Sequence, residues 1–139
     1  MTTKLRMPAA FGICVVLGLG LSGQACAETL ALDCRSAVPD LVVHIWVSSE
    51  PKSVTVQPVV RGQSQAPHTE SGSGITIDAS KVFWRDTVGP GNASSETIDR
   101  NTGTWTSQRY SGSDGLTQQA APLIYHCEPG TATPPPAKF

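Results

Sequence analysis

The chain has 139 residues, of which 39% are hydrophobic and 15% charged, and its formal net charge is −1. This length suits one small domain, and the absence of a basic run argues against nucleic acid or an anionic membrane surface as the main partner. No glycine run leads into Lys followed by Ser or Thr, so the sequence offers no phosphate-binding loop.

The first 27 residues have the three parts of a secretory signal peptide. Lys4 and Arg6 give a basic start, residues 9–21 an uncharged apolar run, and Ala25-Cys26-Ala27 the small residues that signal peptidase recognises. The apolar run is shorter than the roughly 20 residues of a membrane-spanning helix, and no later segment approaches that length. We expect cleavage after Ala27 and no membrane span in the mature chain. An uncleaved anchor and a lipoprotein attached through Cys26 are the alternatives.

The mature chain is predicted to form one β domain over residues 28–128, followed by a proline-rich tail over 129–139. Without the signal peptide, eight basic and eleven acidic residues remain, a net charge of −3. Three consecutive prolines in the tail favour an extended polyproline conformation that buries little surface. The tail is therefore predicted to be solvated and disordered.

Two of the four cysteines, Cys34 and Cys127, remain after this cleavage. An even pair in an oxidising compartment predicts one disulfide, which would join the first strand to the last. Cys34 and Cys127 are 93 positions apart. In the chain-entropy model, closing a loop of that length stabilises the folded state by about 4 to 5 kcal/mol. A reactive or metal-binding pair is the lesser alternative, because two isolated cysteines lack ligand spacing.

Alternating apolar residues predict three strands at the start of the mature chain. They cover residues 29–34, 41–49 and 53–60. Glu50-Pro51-Lys52 fits the turn between the second strand and the third, since proline is preset for the first corner of a turn. Pro58 removes a backbone donor, so the third strand should lie at a sheet edge or bulge there.

Residues 61–74 are polar and rich in glycine and serine, which is typical of a loop, and one short strand is predicted near His68. The next segment, 75–84, alternates again but breaks near Ala79-Ser80, which predicts two short strands or one bent strand. Gly89-Pro90-Gly91-Asn92 is the strongest turn sequence in the chain.

The clearest hairpin runs from Ser95 to Tyr110. Its two arms flank Asn101-Thr102-Gly103, where glycine supplies the positive φ of a tight reversal. Ile98 and Trp105 are the expected apolar neighbours across the two strands. A two-stranded ribbon is marginally stable in water, so other strands must cover this hairpin.

Residues 111–119 are predicted to be a loop and residues 122–127 the last strand. Beta-branched residues dominate the ordered segments, and no long segment has helical spacing of apolar residues. The predicted class is all-β, a small antiparallel barrel or sandwich of roughly seven to nine short strands closed by one disulfide.

The three histidines, His44, His68 and His126, are the first residues to test for chemistry. His68 and Glu70 share one face of a short strand, and His126 would have to approach them to complete a metal site. Surface or loop positions explain the histidines more simply, so we predict neither a metal nor a cofactor.

Serine-dependent hydrolysis has little support in the sequence. No serine lies in a nucleophile-elbow pattern, and the segments 71–74 and 112–115 look like turns. We expect a protein that is not an enzyme and keep a small hydrolase as an alternative.

The tryptophans Trp46, Trp84 and Trp105 are the remaining candidates. Indole rings on a small β domain would give a binding face with large contact area. Strand tryptophans are more often core residues, and this is the preferred interpretation.

The order of these segments resembles a group of small exported proteins of proteobacteria, especially of rhizobial relatives. The resemblance rests on the early Cys34, the hairpin 44–56, the strand pair 75–84, the turn sequence IDRNTG at 98–103 and the late Cys127. It implies an exported β protein and implies no activity, because none is assigned to that group.

A fainter similarity is to periplasmic inhibitors of C-type lysozyme, small β-barrels whose inhibitory loop carries a Ser-Gly segment. Ser73-Gly74 and Phe83-Trp84-Arg85 stand in similar order here, with Ile77 where that family has Tyr and Arg85 where it has Lys. This resemblance implies that Ser73 would hydrogen-bond a catalytic carboxylate of the lysozyme and that Arg85 would pair with one.

The sequence therefore predicts an exported, periplasmic or secreted, non-enzymatic binding protein whose partner is a protein or another envelope component. The first alternative is an inhibitor of C-type lysozyme, and the second is a small hydrolase. The candidate binding residues are Ser73, Arg85, Trp46, Trp84 and Trp105.

Overall fold

The structure is a computed structural model that describes residues 28–87, 89–112 and 117–136. The predicted signal peptide with its cleavage site, Cys26, and the last three residues of the tail lie outside these residues.

The described residues form eleven strands, which we number in chain order. They are β1 Thr29–Arg35, β2 Leu41–Ser49, β3 Lys52–Val60, β4 Gln63–Ser64, β5 His68–Ser71, β6 Thr76–Ile77, β7 Lys81–Thr87, β8 Asn92–Asp99, β9 Thr104–Ser111, β10 Thr117–Gln118 and β11 Leu123–Pro129. The predicted all-β class is confirmed. The count exceeds the prediction because the two-residue strands β4 and β10 lie in segments predicted to be loops. None of the described residues belongs to a helix that would be able to span a lipid bilayer.

All strands join one antiparallel sheet in the order β4-β3-β2-β1-β11-β9-β8-β7-β6, with β5 also paired to β3 and β10 to β9. The sheet does not close into a barrel, because β4 and β5 at one edge pair with neither β6 nor β7 at the other. We call β1 to β5 the N-terminal half and β6 to β11 the C-terminal half. The arrangement is sandwich-like, with the core between the halves.

Both halves contribute apolar side chains to this core because their strands alternate inward and outward residues. Within β2, the buried side chains Val43, Ile45 and Val47 face inward. The core consists of Leu32, Cys34, Val43, Ile45, Val47, Val54, Ile75, Val82, Trp84, Ile98, Trp105, Tyr125 and Cys127.

The predicted hairpin is formed by β8 and β9, and Ile98 lies directly opposite Trp105 as expected. Gly103 has a φ of 66° in the turn. Asp99 Oδ1 accepts hydrogen bonds from the backbone of Asn101 at 2.8 Å and of Thr102 at 3.2 Å. The turn chemistry read from the sequence therefore sets this register.

The two halves are joined where β1 pairs with β11, Leu32–Arg35 against His126–Pro129. Cys34 and Cys127 face each other in this register and form the predicted disulfide, with an S–S distance of 2.04 Å. Both cysteines are buried, and the Cys127 amide donates to the Gly103 carbonyl at 2.7 Å. We call this segment the closed junction.

The tail does not leave the domain where the sequence predicted. The last strand continues to Pro129, and the Gly130 amide then donates to the Ala31 carbonyl at 2.8 Å. The indole Nε1 of Trp46 donates to the Ala132 carbonyl at 2.9 Å. The folded part of the chain therefore extends past the predicted boundary at residue 128, and these tail residues are docked rather than solvated.

Pro58 does not mark a sheet edge, which corrects one sequence prediction. The strand β3 has β2 on one side and β4 and β5 on the other. Pro58 lies between the segment paired with β5, Ser53–Val56, and the segment paired with β4, Val59–Val60. The proline is accommodated because its missing donor falls at the gap between two short neighbours.

Candidate functional site

One end of the sheet is covered by polar contacts around Arg100. Its guanidinium donates to the Asp78 carbonyl at 2.9 Å and pairs with the Glu28 carboxylate, and its amide donates to the Ser80 carbonyl at 2.8 Å. A shallow pocket under this side chain is lined by Leu30, Val47, Ser49, Ile77 and Val82. Its volume of about 10 Å³ is room for about one water molecule, so this pocket is too small for a ligand cleft.

Large hydrophobic side chains are exposed at the opposite end. Val38 lies in the turn after β1, and Val60 ends β3 opposite Leu41, the first residue of β2. Leu123 and Ile124 begin β11, just before the residues that pair with β1. Their exposed fractions are 55% for Val38, 42% for Val60, 45% for Leu123 and 54% for Ile124. We call this group the apolar end.

The apolar end also has free backbone hydrogen-bonding groups. The β1 pairing stops at Arg35 opposite His126, so Leu123–Tyr125 pairs only with β9 and has no strand on its β1 side within the described residues. The Cys127 amide points toward β9, and alternate strand residues point the same way, so within this segment Ile124 directs its N–H and C=O to the free side. A free strand edge can pair with an added strand. The free edge and the exposed side chains of Leu123 and Ile124 thus lie on the same short segment.

A buried carboxylate lies beneath this end. Glu96 is 6% exposed, and its two oxygens accept hydrogen bonds from Trp105 Nε1 at 2.8 Å and Ser107 Oγ at 2.9 Å. Tyr125 stacks on Trp105 with ring centroids 4.2 Å apart. Burial, and secondarily the charge of Glu96, raises the pKa of Tyr125. Both Glu96 oxygens accept hydrogen bonds, so the buried carboxylate holds Trp105 and Ser107 in place.

The three tryptophans do not form an exposed face. Trp84 and Trp105 belong to the core, which confirms the preferred interpretation for these two residues. Trp46 faces away from the core, since its neighbours along β2 point inward, but it is only 5% exposed. The tail covers it through the bond to Ala132.

Ser73 and Arg85, the residues singled out by the lysozyme-inhibitor resemblance, are both exposed. Ser73 lies in the turn between β5 and β6, and Arg85 lies on β7 opposite Ser95. The pairing of β6 with β7 stops at Thr76 opposite Phe83, two residues before Gly74 would face Arg85. The two side chains are therefore presented by adjacent but unpaired segments.

Carboxylates, not serines, contact two of the histidines. His44 Nδ1 lies 2.6 Å from Asp33 Oδ1. His68 Nε2 lies 2.9 Å from Glu70 Oε1. These contacts give no support to a Ser-His-acid site.

The cluster around His68 joins two strands that do not pair. His68 and Glu70 are on β5, and His68 Nε2 also lies 3.3 Å from Asp86 Oδ1 on β7. The hydrogen bond to Glu70 and the charges of Asp86 and Glu70 raise the pKa of His68 against the opposing effect of burial. We call the gap between β5 and the Trp84–Thr87 part of β7 the open seam, because within the described residues this part of β7 pairs with no strand on that side.

The sequence predicted only part of this cluster. Alternation correctly placed His68 and Glu70 on one face of a strand. The third member is Asp86, whereas His126, the residue considered for that place, lies on β11 opposite Thr104. Asp86 is distant in the sequence, and no short motif marks its approach.

Comparison with protein-family models, curated proteins and solved structures gave no match for this chain. The function is therefore argued from the fold and from its two unusual surfaces, the apolar end and the open seam.

Proposed function

We propose that the protein is an exported, non-enzymatic binding protein of the periplasm or the cell exterior, and that it holds a partner at the apolar end. The observation that carries this proposal is the coincidence of exposed apolar side chains and a free strand edge at Leu123–Tyr125. Several large exposed apolar side chains at one end of a small domain are typical of an interaction site. Export is supported by the signal-like N-terminus and by a disulfide that needs an oxidising compartment.

The partner class follows from the backbone. An extended segment of another envelope or exported protein would add a strand beside Leu123–Tyr125, with main-chain hydrogen bonds for affinity. Its apolar side chains would contact Leu123, Ile124 and Val38. The site requires no bound cofactor and no proton transfer.

Site-specific photo-crosslinking in cells of the native host tests this proposal. A photoreactive residue at Ile124 should give a discrete adduct with one partner, while the same residue at exposed Ala79, at the opposite end, should give none. Leu123→Lys, introduced beside the crosslinker, should abolish the adduct by placing charge on the apolar surface. Equal adducts from both positions, or an adduct that survives Leu123→Lys, would refute the binding role of this end.

Inhibition of a C-type lysozyme is a second candidate function, supported by the exposure of Ser73 and Arg85. In this case the protein would block the lysozyme cleft with these two side chains. Cell-wall turbidity in the presence of lysozyme and excess protein tests it, with Ser73→Ala/Arg85→Ala as the matched variant. Clearing at an unchanged rate with the unmodified protein would eliminate this candidate.

A further inference from the structure

We propose that His68, Glu70 and Asp86 form a binding site for a divalent transition-metal cation such as Zn²⁺, which bridges β5 and β7 across the open seam. This site goes beyond the proposed binding function and is independent of the apolar end.

The candidate ligand atoms of the three side chains lie close together. One nitrogen and two carboxylate oxygens lie within 4.8 Å of one another, and His68 Nε2 is 2.9 Å from the Glu70 oxygen and 3.3 Å from the Asp86 oxygen. Tetrahedral zinc with ligand bonds of about 2.0 to 2.2 Å places its ligand atoms about 3.4 Å apart. The two distances from His68 Nε2 are thus already near the spacing that the cation needs.

The three side chains offer the types of ligand atom that zinc binds. An imidazole with two carboxylates matches the nitrogen and oxygen ligands of zinc, while calcium and magnesium favour oxygen ligands alone. Two carboxylates beside one imidazole also give the cluster a negative charge that attracts a cation. The exposure of His68, 57% for its side chain, leaves the remaining coordination positions open to water.

The three side chains also bridge two parts of the fold. The ligands come from two strands that share no backbone pairing, so they are brought together only by the folded sheet. A cation held there would tie the free part of β7 to the N-terminal half. Binding would stabilise the folded state, because the unfolded chain does not present the three groups together.

Calorimetric titration of the purified mature protein, free of any histidine tag and stripped with a chelator, tests the site. Zn²⁺ should bind with a stoichiometry of one and raise the melting temperature, whereas Ca²⁺ and Mg²⁺ at the same concentration should not. His68→Ala, Glu70→Gln and Asp86→Asn should each weaken Zn²⁺ binding more than about tenfold, since losing even an outer partner of a metal ligand costs about 10- to 100-fold.

His126→Ala is the matched control, because His126 is exposed on a strand that does not adjoin the open seam. This variant should bind Zn²⁺ like the unmodified protein. The proposal is overturned if the unmodified protein binds no Zn²⁺, if all three ligand variants keep its affinity, or if His126→Ala loses it.

Discussion

The two places where the N-terminal and C-terminal halves meet are held by different interactions. At the closed junction, β1 and β11 share backbone hydrogen bonds and a buried disulfide, and the docked tail continues from the same strand. At the open seam, β5 and β7 share no backbone pairing and are connected by the contact of His68 with Asp86. Exposed ion pairs contribute about 0 to 1 kcal/mol. The fold is therefore fixed on one side and adjustable on the other.

This difference separates structural residues from functional ones. The closed junction uses a buried disulfide and the backbone hydrogen bonds between β1 and β11. The open seam presents titratable groups that a cation can reach, and the apolar end presents backbone that a partner can pair with. A small domain can keep such low-stability features at its surface because the disulfide maintains the rest.

Removing the disulfide at the closed junction should have the largest effect on the free energy of unfolding. Cys34→Ala/Cys127→Ala should lower the free energy of unfolding by about 2 to 5 kcal/mol, because the open chain gains conformational entropy and two buried groups are truncated. Urea denaturation of the oxidised protein and of the double variant measures this loss. A change below about 1 kcal/mol would mean that the sheet holds the junction without the disulfide.

Displacing the tail from the domain should have the second-largest effect on stability. A Cβ at Gly130 would lie 2.6 Å from Asp33 Oδ1 and 2.9 Å from the Leu32 carbonyl carbon, so Gly130→Ala should displace the tail and cost about 1 to 3 kcal/mol. Tryptophan emission should shift to the red, since Trp46 would lose its cover while Trp84 and Trp105 stay in the core.

Gly74→Ala is the control for this substitution, because a Cβ there meets nothing within 4 Å and the residue has no positive φ. It should leave both the emission and the stability unchanged. An unshifted spectrum in Gly130→Ala would show that Trp46 does not depend on the tail.

Breaking the contact across the open seam should cost less. In metal-free protein, Asp86→Asn should lower the free energy of unfolding by under about 1 kcal/mol, the range of exposed ion pairs. The same denaturation experiment in a chelating buffer measures it. A loss as large as that of the disulfide variant would contradict the expectation that the open seam contributes less stability than the closed junction.

Lowering the pH so that Asp78 is protonated should have the smallest effect on stability. Hydrogen bonds from the Ser80 hydroxyl and from the Ser80 and Lys81 amides lower the pKa of Asp78, which holds the turn between β6 and β7 at the end of the sheet that carries Arg100. Since the folded pKa is depressed, this contribution is present above the unfolded value of 3.8 and is lost as the pH falls through the folded pKa. Titration of the Asp78 carboxyl followed by NMR should give a midpoint below 3.8. A midpoint at or above 3.8 would show that the hydrogen bonds of the turn do not stabilise the ionised carboxylate.

Local patterns predicted the elements whose interactions are close in the sequence. Alternation placed β2, turn residues fixed the β8–β9 hairpin with Ile98 opposite Trp105, and the count of cysteines gave the disulfide. These features depend on periodicity, backbone conformation and redox chemistry, all of which the sequence carries directly.

The remaining features depend on contacts that only the folded chain creates. Trp46 and Ala132 are 86 positions apart, so no local pattern shows that the tail docks. The approach of Asp86 to His68 likewise follows from how the two halves meet. The sequence did not predict the apolar end, because Leu123 and Ile124 belong to an ordinary strand sequence. They are exposed where β1 stops pairing with β11, at Arg35 opposite His126.

Residue-resolved amide hydrogen exchange on the oxidised, metal-free protein tests the difference between the two connections most directly. Amides of β1 and β11 at the closed junction should exchange only through global unfolding. Amides of β5 should exchange through a local opening of much lower free energy. Equal protection of β5 and of the β1–β11 pair would contradict it.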